Sequence, residues 1–579
     1  MRQGGGEPPG NEKLKYEPGF RERIYLARLR AAAGVSRARR SALAPWRFVS
    51  DIFMRAPERL LVAPQDIRTA DPVTADDIYA GYYSFASQIV NVHGASPFRV
   101  APPSPDWEIA LAGFGWLRHL RAASSPLATA HAQALTNEWI VHCGKPARTL
   151  AWSLPAVSRR LISWLSQSPM ILHDADHGFY RRFMRSIGRH VVFLQRELAS
   201  RSNSEDRLGA ATALMFALLC VDAPRSAQRK AIAYLTGELK RQILPDGGHV
   251  CRSPQPLLDI LLDLLPLRQT FLARNEAPPP ELTGAIDRIM PMLRMFQNRG
   301  GELALFNGMS RTALDLLSVA LVYDDARVQP LSSATASGFQ RLEAGETMVI
   351  CDTGKPPPLE FSSRAHAGVL SFEFSSGVER IVVNCGAPAT QSSPMRQVAR
   401  LSAAHSTLIL ENTSSCRFAG QEMAESPLAG RIVAGPSHVA VSRSESAGAL
   451  QVEASHDGYV PVFGFLHKRN WRLEASGARL AGRDELVPAG RVSPQGHALR
   501  AEIRFHLHPQ LRADLEDGSP SVLLTTSGGQ HWRFSVSGGA ISIEESIFFA
   551  SAEGTRASLQ MVVAAQAGAF PIDWLFERL

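Results

Sequence analysis

Cysteine is scarce in this chain and never paired at short spacing. Six occur in 579 residues, at 143, 220, 251, 351, 385 and 416, and no CxxC is present. That excludes a disulfide scaffold and a zinc finger. No apolar run reaches the length of about 18 residues that a membrane-spanning helix needs. The first twenty residues, MRQGGGEPPGNEKLKYEPGF, lack the apolar segment of a secretory leader. The expectation is therefore a disordered segment over 1–20 and a cytoplasmic protein. P-loop, dinucleotide-glycine, GxSxG and HExxH motifs are absent too. Charge of one sign is not in large excess: Lys plus Arg is 62, Asp plus Glu is 54, and the formal net charge is +8. Such a balance permits attraction to an acidic polymer, and nucleic acid is not expected.

What is present is an ordinary globular composition, 45% hydrophobic and 20% charged. At roughly 150 residues per domain the length suggests two to four domains. The apolar period changes near residue 330. Before it, apolar residues recur at helical spacing, as in 107–121 (WEIALAGFGWLRHLR), 158–165 (SRRLISWL) and 208–221 (LGAATALMFALLCV). Segment 257–265 (LLDILLDLL) is apolar on nearly every side except Asp259 and Asp263, which share one face. It reads as a buried helix with one wet edge. After residue 330 the runs are short and β-rich, as at 348–351, 369–374, 380–383, 406–410, 430–433, 438–441, 450–453 and 501–508, with frequent turn residues between them. In 503–508, Ile503, Phe505 and Leu507 alternate with Arg504, His506 and His508, so a strand there buries the first set and displays the second. The last residues, 571–579, read as a short docked tail. The fold expected is α+β multidomain: a helical domain of stacked helix pairs over 21–330, then an antiparallel β-sandwich over 331–579. The arginine-rich stretch 21–40 reads as the solvated face of a first helix or as a contact for a membrane surface or polyanion.

Three places carry candidate chemistry. In the β half, Arg364 and His366 precede one strand, Asn384 ends another, and His405 opens a third. If they converge at one rim, two imidazoles and an amide can bind a metal, stabilise an oxyanion or shuttle a proton. In the helical half, 244–254 (LPDGGHVCRSP) is a tight turn that exposes His249 and Arg252, either as site residues or as helix caps. Asn307-Gly308 reads as a turn, and otherwise as a polar contribution to a cleft. Cys251 and Cys385 lie near these places and read as packing.

These residues resemble the heparinase II/III family of bacterial polysaccharide lyases. His366-Ala367-Gly368-Val369-Leu370-Ser371-Phe372-Glu373 is similar to its His-Ala-Asp-x-Leu-Ser-Phe-Glu. Asn384-Cys385-Gly386 resembles its Val-Asp-x-Gly turn, and 403–408 its Ala-His-Asn-Thr-Leu. The loop 245–254 is similar to the one before the family's catalytic tyrosine. The resemblance implies an incomplete α/α toroid followed by an antiparallel β-sandwich, and cleavage of an acidic, uronate-containing, glycosaminoglycan-like polysaccharide by β-elimination. In that reaction a polar clamp neutralises the uronate carboxylate, a base takes the C5 proton, and an acid protonates the leaving oxygen.

On that basis His366, His249 and Arg252 are the expected catalytic residues. Arg364, Asn307 and Asn384 are expected to bind substrate. His366 and His405 are expected to hold one divalent metal ion at the sandwich rim. The departures are equally specific. Pro256 stands where the tyrosine belongs, and proline transfers no proton. The family's Asn-His pair should fall near 204–207, where the chain has Ser-Glu-Asp-Arg, and a carboxylate there repels a uronate. Gly368 and Asn384 replace aspartates. Three readings follow: a lyase of unusual substrate, a non-catalytic binder of an acidic glycan or cell-envelope polymer, or an interaction protein that keeps the fold alone.

Overall fold

The computed structural model describes residues 57–579 except 201–203, 324–327, 391, 420–427, 490–497, 517 and 519, together with Ala27 and Ala31. The 1–20 segment and, those two alanines aside, the basic 21–40 stretch lie outside the described residues. Arg55–Gly420 with Gly430–Leu579 form one unit, and Met1–Met54 with Gln421–Ala429 a second.

In the larger unit the helices come first, and their starts follow local chemistry. Ser104, Ser125 and Asp176 each accept a backbone N–H with the side chain, opening the helices Pro105–Ala112, Pro126–His142 and His177–Ala199. The first two also carry proline in the first turn, where the missing N–H costs nothing. The helix Asp206–Cys220 is buried at almost every position, and it touches the helices Leu154–Ser166, His177–Ala199, Arg225–Gln242 and Gln255–Ala273. It is the hub of an incomplete toroid of paired helices.

One expectation here needs correction. The stretch 107–121 is not a single helix: it breaks between Pro105–Ala112 and Leu117–Ala123. Phe114 takes a left-handed conformation, φ 55°. Its ring stacks on Trp116 and meets Trp139 and Trp164 edge-on. Aromatic packing outweighs helical periodicity at this corner.

Among the described residues the β half holds two large antiparallel sheets and a small two-stranded one, Arg417–Phe418 with Ile432–Ala434. Of the large sheets, one runs Val439–Ser446, Ala449–His456, Phe465–Glu474, Arg479–Pro488, Ile572–Arg578, His531–Ser537, Ser521–Thr525, Arg512–Leu515 in spatial order. The other includes Ser333–Ala334, Phe339–Ala344, Thr347–Asp352, Phe372–Ser376, Glu379–Val383, Arg500–Leu507, Gly554–Gln566 and Ala540–Ser551. This second sheet is covered on both faces. Along Thr347–Asp352, Met348 and Ile350 join the helical core while Val349 and Cys351 join the core between the sheets. Period-two alternation thus splits one strand between two cores.

Coverage on both faces explains one further correction, and the strand order of the first sheet supplies another. His506 is not displayed but buried, bonded through Nε2 to the Ala403 carbonyl at 2.9 Å and through Nδ1 to Ser546 Oγ at 2.8 Å. The C-terminal 571–579 is not a docked tail: Ile572–Arg578 is an interior strand of the first sheet, between Arg479–Pro488 and His531–Ser537.

Candidate functional site

A cleft of about 430 Å³ opens in the helical half and is closed on one side by Arg364 from the β half. Its walls are the ends and faces of several helices. Ser158 and Arg159 come from Leu154–Ser166, Glu205 and Asp206 from the start of Asp206–Cys220, and Pro256, Asp259 and Asp263 from Gln255–Ala273. The wet edge read from the sequence at Asp259 and Asp263 is the floor of this cleft.

The cleft's charges are largely answered by one another. Asp263 accepts from Arg68 Nη1 at 2.9 Å and Arg159 Nη2 at 2.5 Å. Burial pushes its carboxyl up, but the two guanidiniums outweigh that and hold it below the usual carboxylate range. Glu205 accepts from Ser363 Oγ at 2.9 Å and sits 3.9 Å from Arg364 Nε. Burial, against the pull of Arg364, raises its carboxyl above the ordinary value. Glu205 and Asp206 stand at the N-terminal end of their helix. A helix N-terminus attracts negative charge, and here the chain's own carboxylates supply it. An approaching uronate therefore meets Glu205, Asp206 and Asp259 in place of a polar clamp.

Of the helical-side candidates, His249 lines this cleft with both ring nitrogens committed, and Arg252 is engaged elsewhere. His249 is buried, not exposed as the turn suggested. Gln242 donates its amide to Glu238, so its carbonyl accepts from His249 Nε2 at 3.1 Å. His249 Nδ1 takes the Cys251 N–H at 3.2 Å and lies 2.9 Å from the Cys251 sulfur. Both ring nitrogens are used, and burial beside Arg364 pushes the imidazole down to about 3. It offers no lone pair to a substrate.

Arg252 is buried as well, at φ 61°. Its guanidinium donates to the carbonyls of Ser337, Gly338 and Gly354 and pairs with Asp352. A Cβ on Gly354 would come within 2.4 Å of that guanidinium, so the close approach needs glycine. Arg252 ties the helical loop to the sheet; it does not reach the cleft of Arg364. Asn307 supports the same junction: Nδ2 donates to the Arg252 carbonyl and Oδ1 accepts from the His366 N–H, both at 3.1 Å. Its φ of 46° and the 82° of Gly308 make the expected turn.

At the sandwich rim the structure brings His366 and His405 into contact, with Asn384 bonded to the backbone of the next residue, Ser406. His405 Nδ1 faces the Leu401 carbonyl at 2.8 Å, which can only accept. Nδ1 thus carries the proton, and Nε2 accepts from His366 Nδ1 at 3.0 Å. His366 Nε2 is left as a bare, buried lone pair, while Asn384 accepts the Ser406 N–H at 3.1 Å. Burial pushes His405 down to about 4 and His366 well below the ordinary imidazole range.

This donor set does not fit a metal ion. The two imidazoles are bonded to each other, and Asn384 Oδ1 is occupied. No cluster of three or more His, Cys, Asp or Glu able to hold an ion occurs among the described residues. Gly368 contributes to the same outcome. The ring of His405 fills the space a side chain there would need, its Cδ2 lying 2.6 Å from an added Cβ. Cys251 and Cys385 are buried thiols pushed up to about 12 by burial, consistent with packing.

Sequence reasoning missed Arg68, Arg159 and Ser158. Arg68 meets Asp263 across 195 residues of chain, and no local pattern signals such a pairing.

A helical toroid closed by a two-sheet sandwich is the polysaccharide-lyase fold. Residues 326–575 match the family model described as Heparinase II/III-like, C-terminal, so the sheet half carries that family's C-terminal domain. Among solved structures it is similar to heparinase III, with TM-score 0.67 and 13% identity over 84% of this chain and 80% of that one. It is also similar to a mutant of the heparan sulfate lyase HepC from Pedobacter heparinus, with TM-score 0.62 and 16% identity over 98% and 91%. Among curated proteins it is 28% identical over 494 residues, 83% of both chains, to the FtsZ-localized protein C of Caulobacter vibrioides. No helix of the described residues is long and apolar enough to cross a membrane.

Proposed function

We propose that this chain is a non-catalytic protein of the lyase fold, a binding protein that works on the cytoplasmic side with FtsZ-associated division machinery. The observation that carries the reading is the state of the cleft. Pro256 lines it, His249 has no free nitrogen, Arg252 is committed to carbonyls and Asp352, and carboxylates stand where a clamp is needed. β-Elimination on a uronate polymer, the finer expectation from the sequence, requires a base and a clamp at one carbon. His366 supplies neither to this cleft, because it is buried and is not part of the cleft's wall. An acidic polysaccharide is a poor match to Glu205, Asp206 and Asp259 for the same electrostatic reason.

The division-site half of the proposal rests on likeness along the chain to a protein whose name describes it as FtsZ-localized. The test is a fluorescent fusion expressed in the source bacterium. The expected result is a band at the division site that forms with FtsZ and disperses when FtsZ is depleted. A uniform distribution, unchanged by FtsZ depletion, would overturn it.

A further inference from the structure

A second concavity, lined by cations, lies outside the cleft. A groove of about 550 Å³ runs beside the strand Val439–Ser446, between that strand, the helical loop at Leu244 and Val250, and the segment Lys355–Pro358. Its walls hold Arg252, Lys355 and Arg443, and no carboxylate among the described residues. Arg252 is matched by Asp352 and Arg443 by Glu445. Lys355 is exposed and faces no carboxylate among the described residues. Thr353 is 2% exposed, lines the groove, and its hydroxyl has no hydrogen-bond partner. A buried hydroxyl left unmatched on a groove wall is a point where a ligand group completes the bonding.

The strand itself is unfinished. Val439–Ser446 is the outermost strand of its sheet, paired with Ala449–His456 on one side and with no strand among the described residues on the other. An open edge is a template for one more strand. Val439, Val441 and Arg443 alternate along it and all turn into the groove; Val441 is 41% exposed. The opposite wall is Pro356, Pro357 and Pro358, which have no N–H to donate, so a strand entering the groove pairs on the Val439–Ser446 side alone. No aromatic ring lines the groove to support a sugar face.

We infer that this groove binds an extended acidic peptide of a partner protein. The peptide adds as a strand to Val439–Ser446, its apolar side chains against Val439 and Val441 and its carboxylates toward Lys355 and Arg443. The inference rests on the reading of the chain as a binding protein and names how that protein recognises its partner.

The test uses the full chain and a fluorescein-labelled eight-residue peptide, Glu-Ser-Glu-Ser-Val-Ser-Val-Ser, matched in length to the strand and carrying Glu and Val on one face, with its Lys/Val counterpart as control. The expected result is a saturable anisotropy rise with the Glu/Val peptide, at least about ten-fold weaker with the Lys/Val one. Lys355→Glu combined with Val441→Glu lowers affinity by at least about ten-fold at an unchanged melting temperature, since both side chains are exposed. Backbone hydrogen exchange across 439–446 slows on binding. Absence of binding, equal binding of the two peptides, or binding indifferent to the double substitution would overturn the inference. The two readings fail separately. A fusion that follows FtsZ while the peptide does not bind removes only the groove. Peptide binding by a protein that ignores FtsZ removes only the division-site assignment.

Discussion

Two concavities lie on either side of the His249–Arg252 loop, and they differ in the charges that line them. The toroid cleft, where a polyanion would sit, holds Glu205, Asp206, Asp259 and Asp263 against Arg68, Arg159 and Arg364. The groove by the sheet edge holds three cations and no carboxylate among the described residues. The difference is written in the loop between them. His249 lines the cleft with both ring nitrogens bonded, to Gln242 and to the Cys251 N–H, while Arg252 turns away from it toward the sheet carbonyls. On the proposed reading, the fold keeps its architecture while these side chains serve as structure.

The sharpest way to break this comparison is Arg252→Met. If Arg252 is structural, the change leaves Asp352 buried without its cation and should cost about 3–5 kcal/mol in denaturant unfolding. If Arg252 were a free substrate clamp, unfolding would be little changed. Acidification comes next. His405 has its imidazole held down to about 4, against an unfolded value near 6.5. The folded state therefore binds fewer protons than the unfolded state between these values. Stability is complete above about pH 6.5 and falls as the pH drops toward 4, by up to about 1.4 kcal/mol per pH unit for this residue. His405→Gln should flatten the slope of melting temperature against pH over that window; an unchanged slope contradicts the buried, neutral pair. Gly368→Asp, which restores the residue type the family resemblance implies, drives a Cβ against the His405 ring. A loss of about 1–3 kcal/mol by thermal melting is expected from overpacking, and a gain would show that the pair readily moves aside. Smallest is Arg364→Ala. Its side chain is 37% exposed and 3.9 Å from Glu205, so stability should change by less than about 1 kcal/mol.

Much of this was legible in the chain and some was not, for physical reasons. The period change near residue 330 marked where the long helices end, at Val322, and the sandwich strands begin, at Ser333, because burial of one face imposes a period of 3.6 or 2; the hairpin Tyr82–Phe85 with Gln88–Asn91, inside the helical half, was not read from the sequence. Asp259 and Asp263, four residues apart on an otherwise apolar helix, located the wet face of the cleft. Pro256, Glu205 and Asp206, read from the sequence as departures from the family pattern, line the cleft. The partners of those groups were not legible. That Arg252 would reach four acceptors in or next to the sheet, or that His506 would be buried on a doubly covered strand, depends on contacts across about a hundred residues. Sequence pattern gives a residue's face, and only the packed chain gives its partner.

The central claim is that the cleft performs no elimination. The most direct test is to incubate the purified full chain with heparan sulfate, alginate, hyaluronan and bacterial uronate polymers and follow ultraviolet absorbance from the unsaturated product. The account predicts a flat trace on every polymer. A steady rise that His366→Ala abolishes, in a protein that still melts as the wild type does, would contradict it.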